Sequence, residues 1–131
     1  MQLNTQREVN VHNQVPAALR TVFRIFEAWG VRVGNWSDLL GVSNATVHRW
    51  RSNPESVGSS RDLVERLSYI LGIYKALQIL LPGNDVADSW MSRPNSASLF
   101  GGRPPLERML SGNVADLYIV RHWLDGQRGT V

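Results

Sequence analysis

The sequence predicts an all-α protein made of two small helical halves that share a core. Apolar residues recur at three- and four-residue steps, and no sustained period-two run bounded by hairpin turns interrupts them. A chain of 131 residues suits one domain or two small ones, and its 43% hydrophobic content rules out disorder over the full length. No cysteine is present, which removes disulfides, thiol nucleophiles and cysteine-based zinc sites and fits a reducing compartment. The first ten residues are polar, and no apolar run suits a signal peptide or a membrane span. A cytoplasmic protein without a membrane partner is expected.

The first helix is expected from Pro16, a residue suited to a first helical turn, through Leu19, Val22, Phe23 and Phe26 to about Trp29. Gly30 and Gly34 break it. Asn35 is the candidate cap of a short helix from Trp36 to Leu40, ended by Gly41; Ser43 caps the next, from Asn44 to about Arg51, which Asn53-Pro54 stops. Residues 52–60 have the composition of a surface loop. A long helix enters through Ser60 or Asp62 and ends at Leu81, before Pro82-Gly83. Its apolar positions, Leu63, Leu67, Ile70, Leu71, Tyr74, Leu77 and Leu81, form one broad stripe. Gly72 within it costs about 1 kcal/mol relative to alanine, which leaves a close helix contact and an unexploited kink both open.

Beyond Asn84 a short helix ends near Trp90-Met91, and Pro94 to Arg103 is irregular. Pro104-Pro105 opens a helix over Leu106 to Ser111, closed by Gly112. Asn113 is the expected cap of the last helix, which carries Val114, Leu117, Tyr118, Val120, Arg121 and Leu124; Gly126 to Val131 reads as a short polar tail. The halves are residues 1–60, ordered from about 16, and 61–131. Each is smaller than the roughly 70 to 80 residues at which a lone core is adequate. They are expected to pack on each other, on a second copy, or both.

Trp36 to Ser52 has the spacing of a helix-turn-helix. Ser37 is small where the helices cross, Gly41 permits a positive φ in the turn, and Leu40, Val42, Val47 and Trp50 point inward. Ser43, Asn44, Ala45, Thr46, His48 and Arg49 then face outward, with Arg51 and Asn53 on the rim. Such a face suits the major groove, where Asn pairs with adenine, Arg with guanine, and hydroxyls with bases or phosphates. The glycine turn together with the four inward positions favours this reading over an ordinary solvated helix face. The first half carries six arginines against four carboxylates, a net +2, so a monomer would bind DNA feebly; a dimer or larger assembly is implied.

Catalytic and metal chemistry find no footing. His12, His48 and His122 lack ligand spacing, the serines lack a nucleophile-elbow context, and Phe100-Gly101-Gly102-Arg103-Pro104 matches neither phosphate-loop nor dinucleotide spacing. No cofactor is expected. Trp29, Trp36, Trp50 and Trp90 fall near core positions; of Trp123 and Leu124, one should be more exposed, and an exposed Trp there would anchor a protein interface.

Trp90, Pro94-Asn95 and Leu99-Phe100-Gly101-Gly102-Arg103-Pro104-Pro105-Leu106-Glu107-Arg108-Met109-Leu110 resemble the Xre/MbcA/ParS antitoxin family. Glu65-Arg66-Leu67, Ile73-Tyr74-Lys75-Ala76-Leu77 and Val120 to Gly126 are similar to the same family, so the resemblance covers nearly the whole chain from about residue 16. It implies an N-terminal Xre-like helix-turn-helix bundle joined by a long helix to a C-terminal helical toxin-binding domain. It also implies a partner, a RES-domain toxin that consumes NAD or uses it for ADP-ribosylation, with the antitoxin's C-terminal end covering or entering the NAD pocket. The helix-turn-helix half would repress the shared operon by binding operator DNA of its own promoter.

Carried onto this chain, the DNA-binding candidates are Ser43, Asn44, Thr46, His48, Arg49 and Arg51. The toxin-facing candidates are Arg103, Pro104, Glu107, Arg121, Trp123 and the tail Gly126, Gln127, Arg128 and Gly129. A homodimer and a higher hetero-oligomer with toxin are expected. The recognition helix varies across the family, and the Gly-Thr-Val ending matches no family motif. The rival reading is a stand-alone helix-turn-helix transcription regulator whose second half dimerises or senses a ligand.

Overall fold

Seven helices and no strand make up the described residues, as the hydrophobic periodicity predicts. A computed structural model describes residues 2–129, with side chains from Gln14 onward; Met1, Thr130 and Val131, the last two being the end of the expected tail, lie outside the described residues, as does the side chain of His12. The helices are α1 (Gln2–Ala28), α2 (Trp36–Leu40), α3 (Asn44–Ser52), α4 (Arg61–Leu80), α5 (Asn84–Ser89), α6 (Pro105–Met109) and α7 (Val114–Gln127). Single 3₁₀ turns sit at Val33–Asn35, Pro54–Ser56 and Trp90–Ser92.

Helix α1 corrects the expected start at Pro16: the proline lies inside a helix that begins at Gln2. An interior proline removes one backbone donor and crowds the preceding turn. Here its ring is buried, so part of that cost is offset by apolar burial. Leu19, Val22 and Phe26 from α1 and Trp29 just after it enter one continuous core with Trp36, Leu39 and Leu40. Trp36 is the centre of this half. Phe23 stacks on it at 5.0 Å, Phe26 meets it at 5.5 Å, and its Nε1–H donates to the Val31 carbonyl at 3.0 Å.

Ser60 caps α4 as the sequence predicts, its hydroxyl accepting from the Leu63 N–H at 3.2 Å. Helix α4 packs on α7 along one side and on α1, α2 and α5 elsewhere, so its buried arc is wider than the predicted stripe. Leu63, Leu67, Ile70 and Leu77 are buried as expected, joined by Ile73 and Ala76, whereas Leu71, Tyr74 and Leu81 stay half-buried. The loop reading of residues 52–60 is also too simple, since Pro54–Ser56 forms a 3₁₀ turn and Val57 is buried behind it.

Two expected caps do not form. Asn35 and Asn113 make no side-chain capping bond. Before α7, Ser111 Oγ accepts from the Asn113 N–H and donates to Asp116 Oδ2, Arg108 Nε pairs with Asp116 Oδ1 at 3.0 Å, and the Asp116 N–H bonds the Asn113 backbone carbonyl at 3.1 Å.

Arg66 ties the two halves together. It is 7% exposed. Its Nε donates to Asp62 Oδ2 at 2.8 Å, Nη1 to the carbonyls of Asp38 and Leu39 at 3.2 and 3.3 Å, and Nη2 to the Gly112 carbonyl at 3.0 Å. Gly41, which ends α2 at φ +68°, serves this arrangement twice: a Cβ there would stand 2.6 Å from Arg66 Cζ. Replacing Arg66 with Met leaves three backbone carbonyls without their donor. The expected cost is about 3 kcal/mol. Urea denaturation checks it, through a lower midpoint at an unchanged slope.

Candidate functional site

Two surfaces carry the residues singled out in the sequence. The first is the outer face of α3. Gly41 turns the chain, Leu40, Val47 and Trp50 are buried behind it, and Ser37 and Val42 are half-buried at the crossing. Ser43 caps α3, its hydroxyl accepting from the Thr46 N–H at 3.1 Å and donating to Thr46 Oγ1 at 3.0 Å. Those two hydroxyls are therefore partly occupied. Asn44, Ala45, His48 and Arg49 stand exposed on the same side. Arg51 lies at the rim with its Cζ 5.3 Å from the Trp36 ring centroid, a cation–π contact that restrains the guanidinium. Behind this face Arg20 pairs with Glu55, joining α1 to the turn after α3.

The second surface belongs to the C-terminal half. The irregular stretch Pro94 to Arg103 is a pinned loop: Asn95 Oδ1 accepts from the Ala97 N–H, and the backbones of Asn95, Gly102 and Arg103 close on each other. Gly101 and Gly102 supply the positive φ values, +59° and +83°, that this closure needs. Arg108 Nη1 donates to the Leu99 carbonyl and fixes the loop to α6. Leu99, Phe100, Arg103, Pro104, Glu107 and Arg108 line a hollow of ≈ 230 Å³, in which Arg103 pairs with Glu107.

Phe100 links this hollow to α7. Its ring meets Trp123 edge-on at 5.4 Å and Trp90 at 5.7 Å, while Trp90 and Trp123 stack at 6.1 Å. Leu124 is buried and Trp123 half-buried, so Trp123 is the more exposed of the pair, though its ring is committed to this cluster. Arg103, Pro104, Glu107 and Trp123 thus belong to one neighbourhood. Arg121 does not. Its guanidinium turns onto α4, donating to the Ser68 carbonyl at 3.3 Å and to Asp125 Oδ2 at 3.2 Å.

The expected tail is corrected. Helix α7 continues to Gln127, so Gly126 and Gln127 are helical; Arg128 follows as its cap, 3.6 Å from Asp125, and Gly129 turns at φ +69°. Gly126 was a misleading stop signal because its own φ is not positive. Among the described residues no cluster of His, Asp or Glu is placed to hold a metal ion, and no helix is long and apolar enough to cross a membrane.

Comparison with known families accounts for both surfaces. Residues 11–72 match the antitoxin Xre-like helix-turn-helix domain, and residues 76–129 match the antitoxin Xre/MbcA/ParS C-terminal toxin-binding domain. The chain belongs to the Xre/MbcA/ParS antitoxin family. It is also 42% identical over 117 residues to an uncharacterized protein, y4oB, of Sinorhizobium fredii (strain NBRC 101917 / NGR234), covering 88% of each chain. The antitoxin therefore combines a helix-turn-helix with a toxin-binding domain, and an antitoxin and regulatory role follows from the two together.

Sequence reasoning missed one feature of this antitoxin and left a second open. Arg66 interrupts the apolar steps Leu63, Leu67 and Ile70, and an arginine on a buried stripe is itself a signal of an internal anchor. The question left open at Gly72 is settled as a close contact: a Cβ there would lie 1.8 Å from Arg121 Nη1. Gly72→Ala in an Arg121→Ala background should gain about 1 kcal/mol from helix propensity. In the parent antitoxin most of that gain is lost, because the guanidinium must leave Ser68. A double-mutant cycle by urea melts should return a coupling of about 0.5 to 1 kcal/mol.

Proposed function

We propose that this antitoxin neutralises a RES-domain toxin that consumes NAD, by occupying the approach to the toxin's active site, and that it represses its own operon through α3. The observation that carries the reading is that the helix-turn-helix match and the toxin-binding match meet within α4, so one helix serves both activities. In this reading residues 1–60 serve DNA, and residues 61–131 serve the toxin and self-association. No bond is made or broken; the protein acts by occupancy and needs no cofactor.

On the toxin side the free end of α7 supports the reading. Gly126, Gln127, Arg128 and Gly129 are exposed, and the Arg128 guanidinium presents donors suited to the acidic and polar groups of a nucleotide pocket. Arg103, Pro104, Glu107 and Trp123 form the adjoining shoulder, whereas Arg121 contributes by holding α7 on α4. Removing residues 126–131 should restore toxin NAD consumption in the mixed proteins at least tenfold. Full inhibition by the shortened chain would rule the end of α7 out as the blocking element.

On the DNA side the reading places the N-terminal end of α3 in the major groove. Asn44, His48 and Arg49 would reach base edges or phosphates, Ser43 and Thr46 would contribute from the cap, and Arg51 would meet backbone from the rim. The net charge of +2 on this half requires two copies of α3, from a homodimer or a higher complex with toxin, to reach useful affinity. Arg49→Ala with Arg51→Ala should weaken binding to the promoter fragment by roughly a hundredfold. The slope of log affinity against log salt should flatten by about one for each phosphate contact removed. Fluorescence anisotropy over a salt series measures both.

A further inference from the structure

The outer face of α7 is an exposed surface whose one ring contact with another element, among the described residues, is that of Tyr118 with Tyr69 of α4. At 100° per residue, Leu117, Val120 and Leu124 form the buried arc, and Arg121, Asp125 and Arg128 form a polar flank from which Arg121 reaches α4. Ala115, Tyr118, His122 and Gly126 fall together on the opposite side, and all four are exposed. Tyr118 is 49% exposed yet ordered by its neighbours: its ring stacks on His122 at 5.7 Å and meets the edge of Tyr69 from α4 at 5.7 Å. Aromatic side chains held this way lose little further entropy when a partner covers them, which is the character of an interface anchor.

Gly126 points the same way by contrast with Gly72. Gly72 is required inside the molecule, because a Cβ there collides with Arg121. At Gly126 a Cβ would meet nothing within 4 Å among the described residues, and the φ is not positive. The folded chain thus carries a helical glycine, at a cost of up to about 1 kcal/mol, for which the packing of the described residues gives no reason. A bare backbone at that point permits another chain to approach closely.

We propose that the toxin lies along this stripe of α7, with Tyr118 and His122 as its anchor and Gly126 as the point of closest backbone approach. The occupant is the toxin because the stripe lies wholly within the toxin-binding match and runs into the helix end that the proposed function assigns to the toxin's pocket. This inference rests on the proposed function for the identity of the partner.

The test uses the full-length antitoxin and the protein encoded by its neighbouring reading frame, with binding followed by biolayer interferometry and folding by thermal melts. Gly126→Ala should raise the melting temperature of the free antitoxin while weakening toxin binding at least tenfold, two effects of opposite sign that a purely structural role would not produce. Tyr118→Ala with His122→Ala should weaken binding at least thirtyfold, and Tyr118→Phe should keep the parent affinity. Should the double variant fold poorly, a photo-crosslinking benzoylphenylalanine in place of Tyr118 reads the contact directly, and a covalent adduct with the toxin is expected. Parent-like affinity for Gly126→Ala and for the folded double variant overturns the proposal. So does a change of oligomeric state in the absence of toxin with toxin affinity intact, which would assign the stripe to a second copy. If the parent antitoxin itself binds no toxin, the proposed function fails first and the inference with it.

Discussion

The mutual placement of the two halves depends on how one buried guanidinium finds its partners. A charged arginine withdrawn from water is tolerated only when its donors are met, and Arg66 meets them with four groups from three places in the sequence: Asp62, the carbonyls of Asp38 and Leu39, and the carbonyl of Gly112. Three of these are backbone atoms at helix ends. The carbonyls at the end of α2 and in the turn before α7 have no further turn of helix to serve, so the arginine satisfies groups that the helices leave over. Moving either end strands a charge. The crossing of α2 and α3 and the docking of α7 are thereby referred to one side chain on α4.

Helix α7 shows how one helix is divided among duties. Its inner arc makes core, its flank toward α4 makes the Arg121 contact over Gly72, and Trp123 on the other flank joins the cluster with Trp90 and Phe100 that holds the Pro94 to Arg103 loop. Glycine does two different jobs here. At position 72 its missing side chain admits an arginine of the same chain, and at position 126 it leaves backbone open to the outside.

Much of this architecture was legible in the sequence because it rests on local chemistry. The turn at Gly41, the caps at Ser43 and Ser60, and the stop at Pro82-Gly83 each follow from one residue's backbone preference, and the helix-turn-helix core at Leu40, Val47 and Trp50 follows from spacing. What escaped depends on contacts far apart in the chain. Asn113 looked like a cap, but the Asp116 N–H bonds its backbone carbonyl and not its side chain, while Ser111 Oγ takes the Asn113 N–H. Arg121 is toxin-facing by the resemblance, and no local signal states that its guanidinium also lies over Gly72, 49 positions earlier. Pro16 looked like a beginning because the rule for first turns does not know that its ring will be buried. For the candidate site the residue types were legible, and their grouping was not: nothing local states that Phe100 joins the Arg103 hollow to Trp123.

Sharing α4 between the two family domains has a geometric consequence. A flexible linker would let a DNA-reading helix and a toxin-binding surface move independently, but a continuous helix with a buried arginine bonded to both sides leaves little freedom between them. The half bearing α3 carries too little net charge to hold DNA strongly in a single copy. Under the proposed function affinity comes from pairing recognition helices at a fixed separation, and in so stiff a body that separation is set by whatever joins the copies. If a toxin joins them through α7, it also sets the spacing of the recognition helices, and neutralisation and repression become linked through rigid geometry alone, without any change of fold.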